Sequence, residues 1–244
     1  MERDFTLEKY RELLCALKGY GNVVLRHDVD LKPANSLAVA RIEAELGWSA
    51  TYYFRAVPES WNEEIIRCIA GLGHRIGYHY ESLTTCKGDV DAAWRDFLSN
   101  LEHLRTLVPV TTICMHGSPR SRWDSRDIWK KFDYRDAGID FEPYFDVDFG
   151  STFYLTDTGR RWDGFRYSVR DRIPQRQDEW SRRGWVYRTT DDVISAVRSG
   201  RFPRSVMITT HPQRWTDSRT EWMRELLAQN FKNIIKRTIL SVRQ

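Results

Sequence analysis

Short apolar runs alternate with amphipathic stretches along most of this chain, and no other feature restricts its fold as much. FTLEKYRELLCAL (5–17), PANSLAVARIEAELG (33–47), EEIIRCIAGLG (63–73) and DVDAAWRDFLSNLEHLRTLV (89–108) carry the apolar spacing of helices. NVVLRHD (22–28), SATYYFRAV (49–57), HRIGYHY (74–80) and TTICMHG (111–117) fall between or after them and have the composition of buried strands. Pro33 suits the first turn of a helix, and Gly47, Gly71 and Gly73 suit helix ends. A strand followed by a helix, repeated every 25 to 35 residues or so, implies right-handed crossovers and a parallel sheet, hence an α/β protein.

After Gly117 the pattern loosens, with strands such as STFYLTD (151–157) alternating with polar loops, then returns with DDVISAVRSG (191–200) as helix, SVMITTHP (205–212) as strand and a long amphipathic helical stretch from about Ser218. There are no repeats and no linker-like tract. One domain over residues 1–244 is expected, with an elaborated loop or lid at 117–165. The 38 Lys and Arg nearly balance 34 Asp and Glu, and the arginines are interleaved with acids, which argues against nucleic acid as partner. Cys15, Cys68, Cys86 and Cys114 form neither a Cys-x-x-Cys pair nor a disulfide framework. No run of about 18 apolar residues is present, and the start of the sequence is charged and amphipathic, so no transmembrane segment is expected and a cytoplasmic location is.

In parallel α/β sheets the ligand site gathers at the strand C-termini. Four expected strand ends here read HDVD, HYE, MHG and THP. Asp28 and Asp30, two apart, would share one side of their strand, and a cation or a retained proton would relieve their repulsion. The competing reading is a helix-capping pair bonded to Arg26 or Lys32. His79 and Glu81 likewise share a side, and an imidazole among carboxylates is a good donor set for zinc. His116 and His211 end two further strands, where each could instead be a turn residue. Cys114 reads as a buried thiol, His74 as a core residue at the opposite strand end, and His103 as a helix residue.

These stretches resemble the polysaccharide deacetylase family (carbohydrate esterase family 4). LRHDVD (25–30) is similar to that family's Asp-x-Asp motif, which implies Asp28 as general base and Asp30 as metal ligand. GHRIGYH (73–79) resembles its Gly-His-x-Ile-Gly-x-His motif, which implies His79 as a second ligand. The family's further histidine, four residues on, falls at Leu83, so His116 is the expected third ligand, with Glu81 as the alternative. ITTHP (208–212) resembles the late motif that carries the general acid, here His211. HGSPRSRW (116–123) and TDTGRRW (156–162) stand where the middle motifs would be. Asp157, Arg160 and Trp215 are the expected substrate-binding residues.

The resemblance implies a distorted (β/α) barrel with about seven parallel strands and one divalent metal ion, zinc foremost, with nickel, cobalt or iron as alternatives. It implies removal of an N-acetyl or similar acyl group from a carbohydrate, such as a nucleotide- or lipid-linked precursor of cell-surface polysaccharide. The arginines suggest a diphosphate handle, with Arg160 and Arg161 as candidates. Two other readings stand beside it: a hydrolase of a non-sugar amide on the same scaffold, and a glycan-binding barrel without turnover.

Overall fold

The computed structural model describes residues 3–118, 121–166, 168 and 172–242, with side chains up to Phe231. Pro119 and Arg120 of the HGSPRSRW stretch lie outside the described residues.

The chain opens with α1 (Leu7–Leu17), capped by the Thr6 hydroxyl, which accepts from the Lys9 amide. The alternation then proceeds through β1 (Asn22–Val29), α2 (Pro33–Glu45), β2 (Thr51–Phe54), α3 (Glu63–Gly71), β3 (Arg75–Tyr80), a single-turn α4 (Ser82–Thr85), α5 (Val90–Arg105) and β4 (Ile113–Met115). Asn62 and Asp89 cap α3 and α5 through their side chains. The second half holds a short α6 (Pro143–Asp146), β5 (Phe153–Thr156), α7 (Pro174–Arg182), α8 (Thr190–Arg198), β6 (Ser205–Thr210) and α9 (Arg219–Val242). A capping box of Thr189 and Asp192 starts α8.

All strand pairs are parallel, in the order β4-β3-β2-β1-β6-β5. Each step from β1 to β4 moves one place across the sheet, and β6 returns to the free side of β1. All six C-terminal ends therefore lie along one edge. Helices bury Leu13, Leu14, Val39, Ile66, Ile69, Phe97 and Leu101 in the main core.

About seven strands were expected, and six are present among the described residues. The place of a seventh, beyond β4, is reduced to one parallel bridge between Thr112 and Phe141. The local sequence explains this. Between residues 117 and 152, side chains of Asp124, Asp133 and Glu142 each cap a 3₁₀ or α turn, which draws the backbone away from extended geometry. The curved parallel sheet is compatible with a distorted barrel. Within 117–165 the STFYLTD run forms β5 as read, and Ile128 packs with Leu83 and Ala93 in a second small core.

Strand alternation decides what β1 does. Arg26 and Asp28 lie on one face, and His27 on the other. His27 is fully enclosed, with Nε2 2.7 Å from Glu43 Oε1 and Nδ1 2.6 Å from Thr210 Oγ1. The Glu43 carboxylate also accepts from the Tyr10 and Tyr52 hydroxyls, at 2.5 and 2.6 Å. That network ties α1 and α2 to the sheet. His74, at the opposite strand end, is held by Ala40 O and the Ala50 amide.

Candidate metal centre

Each strand end delivers at least one polar or charged side chain to the same edge: Asp28 and Asp30 from β1, Arg55 from β2, His79 and Glu81 from β3, His116 from β4, Asp157 from β5 and His211 from β6. Donor atoms of Asp30, His79 and His116 all lie within 4.8 Å of one another. Asp30 Oδ1 is 3.7 Å from His79 Nε2 and 3.5 Å from His116 Nε2. It is buried and has no hydrogen-bond partner. A buried carboxylate oxygen left unpartnered costs folding energy unless a cation or a donor meets it.

The two imidazoles are turned toward that oxygen by bonds on their far sides. His79 Nδ1 is 2.9 Å from the Cys114 carbonyl, so Nδ1 carries the proton and Nε2 is left as the lone-pair donor. Burial drives the His79 pKa well below the ordinary imidazole value, and His116 pushes it the same way. His79 is therefore neutral, the form that ligates. His116 Nδ1 lies 2.9 Å from Glu81 Oε2, an arrangement in which a carboxylate fixes the ring of a metal-binding histidine. Asp30 itself is lowered although burial raises it, because His116, His211 and His79 outweigh that burial.

Glu81, the alternative third ligand, has another place. Its second oxygen accepts two bonds from Arg55, at 2.6 and 2.9 Å, and Arg55 and His116 hold its pKa down to about 2 against the effect of burial. Both oxygens are thus committed to neighbours. Leu83 lies 3% exposed in the second core, because α4 turns the chain immediately after Glu81.

A second donor set, Asp28 with His79 and Cys114, shares His79 with the first. It is the poorer one, because Arg26 grips Asp28 with a two-pronged bond, Nε to Oδ1 at 2.8 Å and Nη2 to Oδ2 at 2.7 Å. Asp28 Oδ2 still faces the centre, 3.7 Å from His79 Nε2. Sequence reading had weighed Arg26 as a partner of this carboxylate, and here it is one.

His211 stands on the other flank, with Nε2 3.9 Å from Asp30 Oδ2. Its Nδ1 meets Asp157 Oδ1 at 2.6 Å, and its backbone amide donates to the same carboxylate. Burial and Arg214 lower the His211 pKa, yet Asp157 and Asp30 bring it above the ordinary value.

The three residues expected to bind substrate are enclosed instead. Asp157 is wholly buried and also accepts from Arg214 and from the Trp215 indole, at 2.5 and 2.8 Å. Trp215 is wholly buried among Phe5, Tyr10 and Trp162. Arg160, only 6% exposed, stacks on Trp222 and donates to its carbonyl, while Arg161 is fork-bonded to Asp163. These side chains build the wall behind His211 rather than an open subsite, so neither arginine presents a phosphate-binding face. Arg55 is the charged strand-end residue that sequence reading passed over. The signal was present, since it follows TYYF as Asp30 follows LRHDV.

What the fold and the site define together is an α/β protein whose parallel strands converge on a candidate metal centre of Asp and His. No protein-family model matches the chain, and no curated protein matches it either. Among the described residues no helix is long and apolar enough to cross a membrane.

Proposed function

We propose that this chain is a metal-dependent hydrolase that removes an N-acetyl or similar acyl group from a sugar, a precursor of cell-surface polysaccharide. The observation that carries the reading is the unpartnered, buried Asp30 Oδ1 between two Nε2 atoms whose rings are fixed from behind. Asp30, His79 and His116 would hold one divalent ion, zinc foremost, since two imidazoles and a carboxylate suit it. Such an ion supplies Lewis acidity toward an amide carbonyl and acidifies the attacking water.

The chain's own groups divide the proton work. Asp28, oriented by Arg26, accepts the proton of the attacking water. His211, its Nδ1 bonded to Asp157, presents Nε2 to the departing nitrogen and gives it a proton as the C–N bond breaks. The products are a carboxylate and a free amine. LRHDVD and GHRIGYH, which resemble deacetylase motifs, support a sugar amide as the substrate class.

The test combines metal analysis with acetate release from a panel of free and nucleotide-linked N-acetyl sugars, with small non-sugar amides alongside. Wild type and Asp28→Asn should hold about one ion per chain and Asp30→Ala none, with acetate released by the wild type alone. Turnover confined to the small amides would move the substrate class and keep the centre. A second reading, a glycan-binding barrel without turnover, is favoured by Arg26 occupying both Asp28 oxygens. It predicts metal in the wild type, no hydrolysis of any substrate, and sugar binding unchanged by Asp28→Asn.

A further inference from the structure

The helix α9 is fixed to the body at its root. The Trp222 indole donates to the Asp4 carbonyl at 2.6 Å, and its ring lies 4.4 Å beneath the Arg160 guanidinium. Beyond that root, Met223, Leu227 and Phe231 are 50%, 63% and 65% exposed. They follow one another at intervals of four, so they form one stripe along the helix. Among the described residues the only other large apolar side chain at least half exposed is Phe145, so exposed apolar surface is concentrated on this helix.

Charge is concentrated on the same segment. Residues 226–244 contain Lys232, Lys236, Arg237 and Arg243 and no acidic residue, whereas the whole chain has 38 bases and 34 acids. The remaining 225 residues are therefore balanced, 34 against 34, and the net charge of +4 resides entirely in this stretch. The sequence there also supplies Ile234, Ile235, Ile239, Leu240 and Val242.

From these two features we infer that α9 docks on an anionic lipid surface, lying along the interface with its apolar stripe inserted. An apolar stripe that continues, beyond Glu221 and Glu225 at the root, into a stretch with four bases and no acids has the composition that binds such surfaces. A second copy of the chain fits less well, since it would bring the same bases together with nothing acidic to neutralise them. Lys232, Lys236 and Arg237 interrupt the apolar residues and keep the helix from spanning. Its root is tied to Arg160, four residues after the end of β5. The inference does not depend on what the metal centre catalyses.

The experiment is flotation of the full chain with phosphatidylcholine vesicles, with and without phosphatidylglycerol. The wild type should float at least about tenfold more with the anionic vesicles and be released by high salt. The doubly substituted Leu227→Glu, Phe231→Glu and Lys232→Glu, Lys236→Glu variants should each lose flotation while keeping the wild-type Tm, because the first pair replaces exposed side chains and the second reverses charge alone. Wild type left unfloated with both vesicle types overturns the inference, as does equal flotation with neutral vesicles. A concentration-dependent dimer in light scattering, abolished by Leu227→Glu and unaccompanied by flotation, would assign the stripe to a second copy and likewise overturn it.

Discussion

Glu81 stands behind His116, not beside it: a carboxylate oxygen lies 2.9 Å from Nδ1, while Nε2 on the other side of the ring points to Asp30. Arg55 holds the remaining Glu81 oxygen, so the carboxylate is oriented before any ion arrives. Removing such a partner frees the ring to rotate and leaves its tautomer unspecified, which weakens metal binding by about 10- to 100-fold. Glu81→Gln should show that loss in chelator competition, with a nearly unchanged far-ultraviolet circular dichroism spectrum. Unaltered affinity would mean that packing alone aligns His116.

Asp157 does for His211 what Glu81 does for His116, but from a wholly buried position and with Arg214 as a second charge. Asp157→Asn should lower kcat about 100-fold and leave KM nearly unchanged, because the group that protonates the leaving nitrogen loses its orientation while no substrate contact is removed. Arg214 would then be buried without its counter-charge, which costs about 3 kcal/mol and should appear as a lower Tm. A fall in Tm with kcat intact would limit Asp157 to holding the fold.

Strand ends were legible in the sequence because His, Asp and Glu stand out at the close of apolar runs, and Asp28, Asp30, His79, His116 and His211 do reach one edge of the sheet. Which of them face the centre and which face one another was not legible, because that depends on strand order. Only with β2 between β1 and β3 does Arg55 meet Glu81, and only with β5 beside β6 does Asp157 meet His211. Asp157, Arg160 and Trp215 read as polar or amphipathic loop residues open to substrate. Their burial comes from Phe5, Tyr10 of α1 and Trp222 at the root of α9 closing over them, contacts between residues 62 or more apart in sequence. The seventh strand was implied by the family resemblance alone; the apolar runs themselves mark six, and side chains of Asp124, Asp133 and Glu142 cap turns in the stretch between β4 and β5.

Gly77 gives Tyr53 its place near the centre. A Cβ at Gly77 would run into the Tyr53 ring, and that ring lies 5.7 Å from the Arg26 guanidinium and 6.4 Å from the His79 ring. Gly77→Ala should therefore push the ring toward both residues, destabilising the fold by about 1–3 kcal/mol and weakening metal binding. Gly71→Ala, where a Cβ meets open space, is the control and should leave metal binding unchanged. Thermal melts and metal titrations on the two variants decide the matter; equal behaviour would show that the sheet yields at Gly77 without moving Tyr53.

Glu142 makes stability depend on pH. It is wholly enclosed beyond β4, accepting from the Met115 and Tyr144 amides at 3.0 and 2.5 Å, and burial raises its pKa to about 7 despite those bonds and the nearby Arg26. In the unfolded chain the same group titrates near the ordinary value of about 4.3. Between those two values the folded state binds more protons than the unfolded state, so stability falls as pH rises. The contribution is fully present below about pH 4.3 and gone above about 7, a difference on the order of 3 kcal/mol. Urea midpoints for wild type and Glu142→Gln at about pH 5 and about pH 8 should diverge, with the wild type losing more stability than the variant on going up. Parallel midpoints would mean that water reaches the carboxylate and restores its ordinary pKa. Met115, which donates to Glu142, immediately precedes His116, so that result would also show that the backbone carrying His116 is open to solvent.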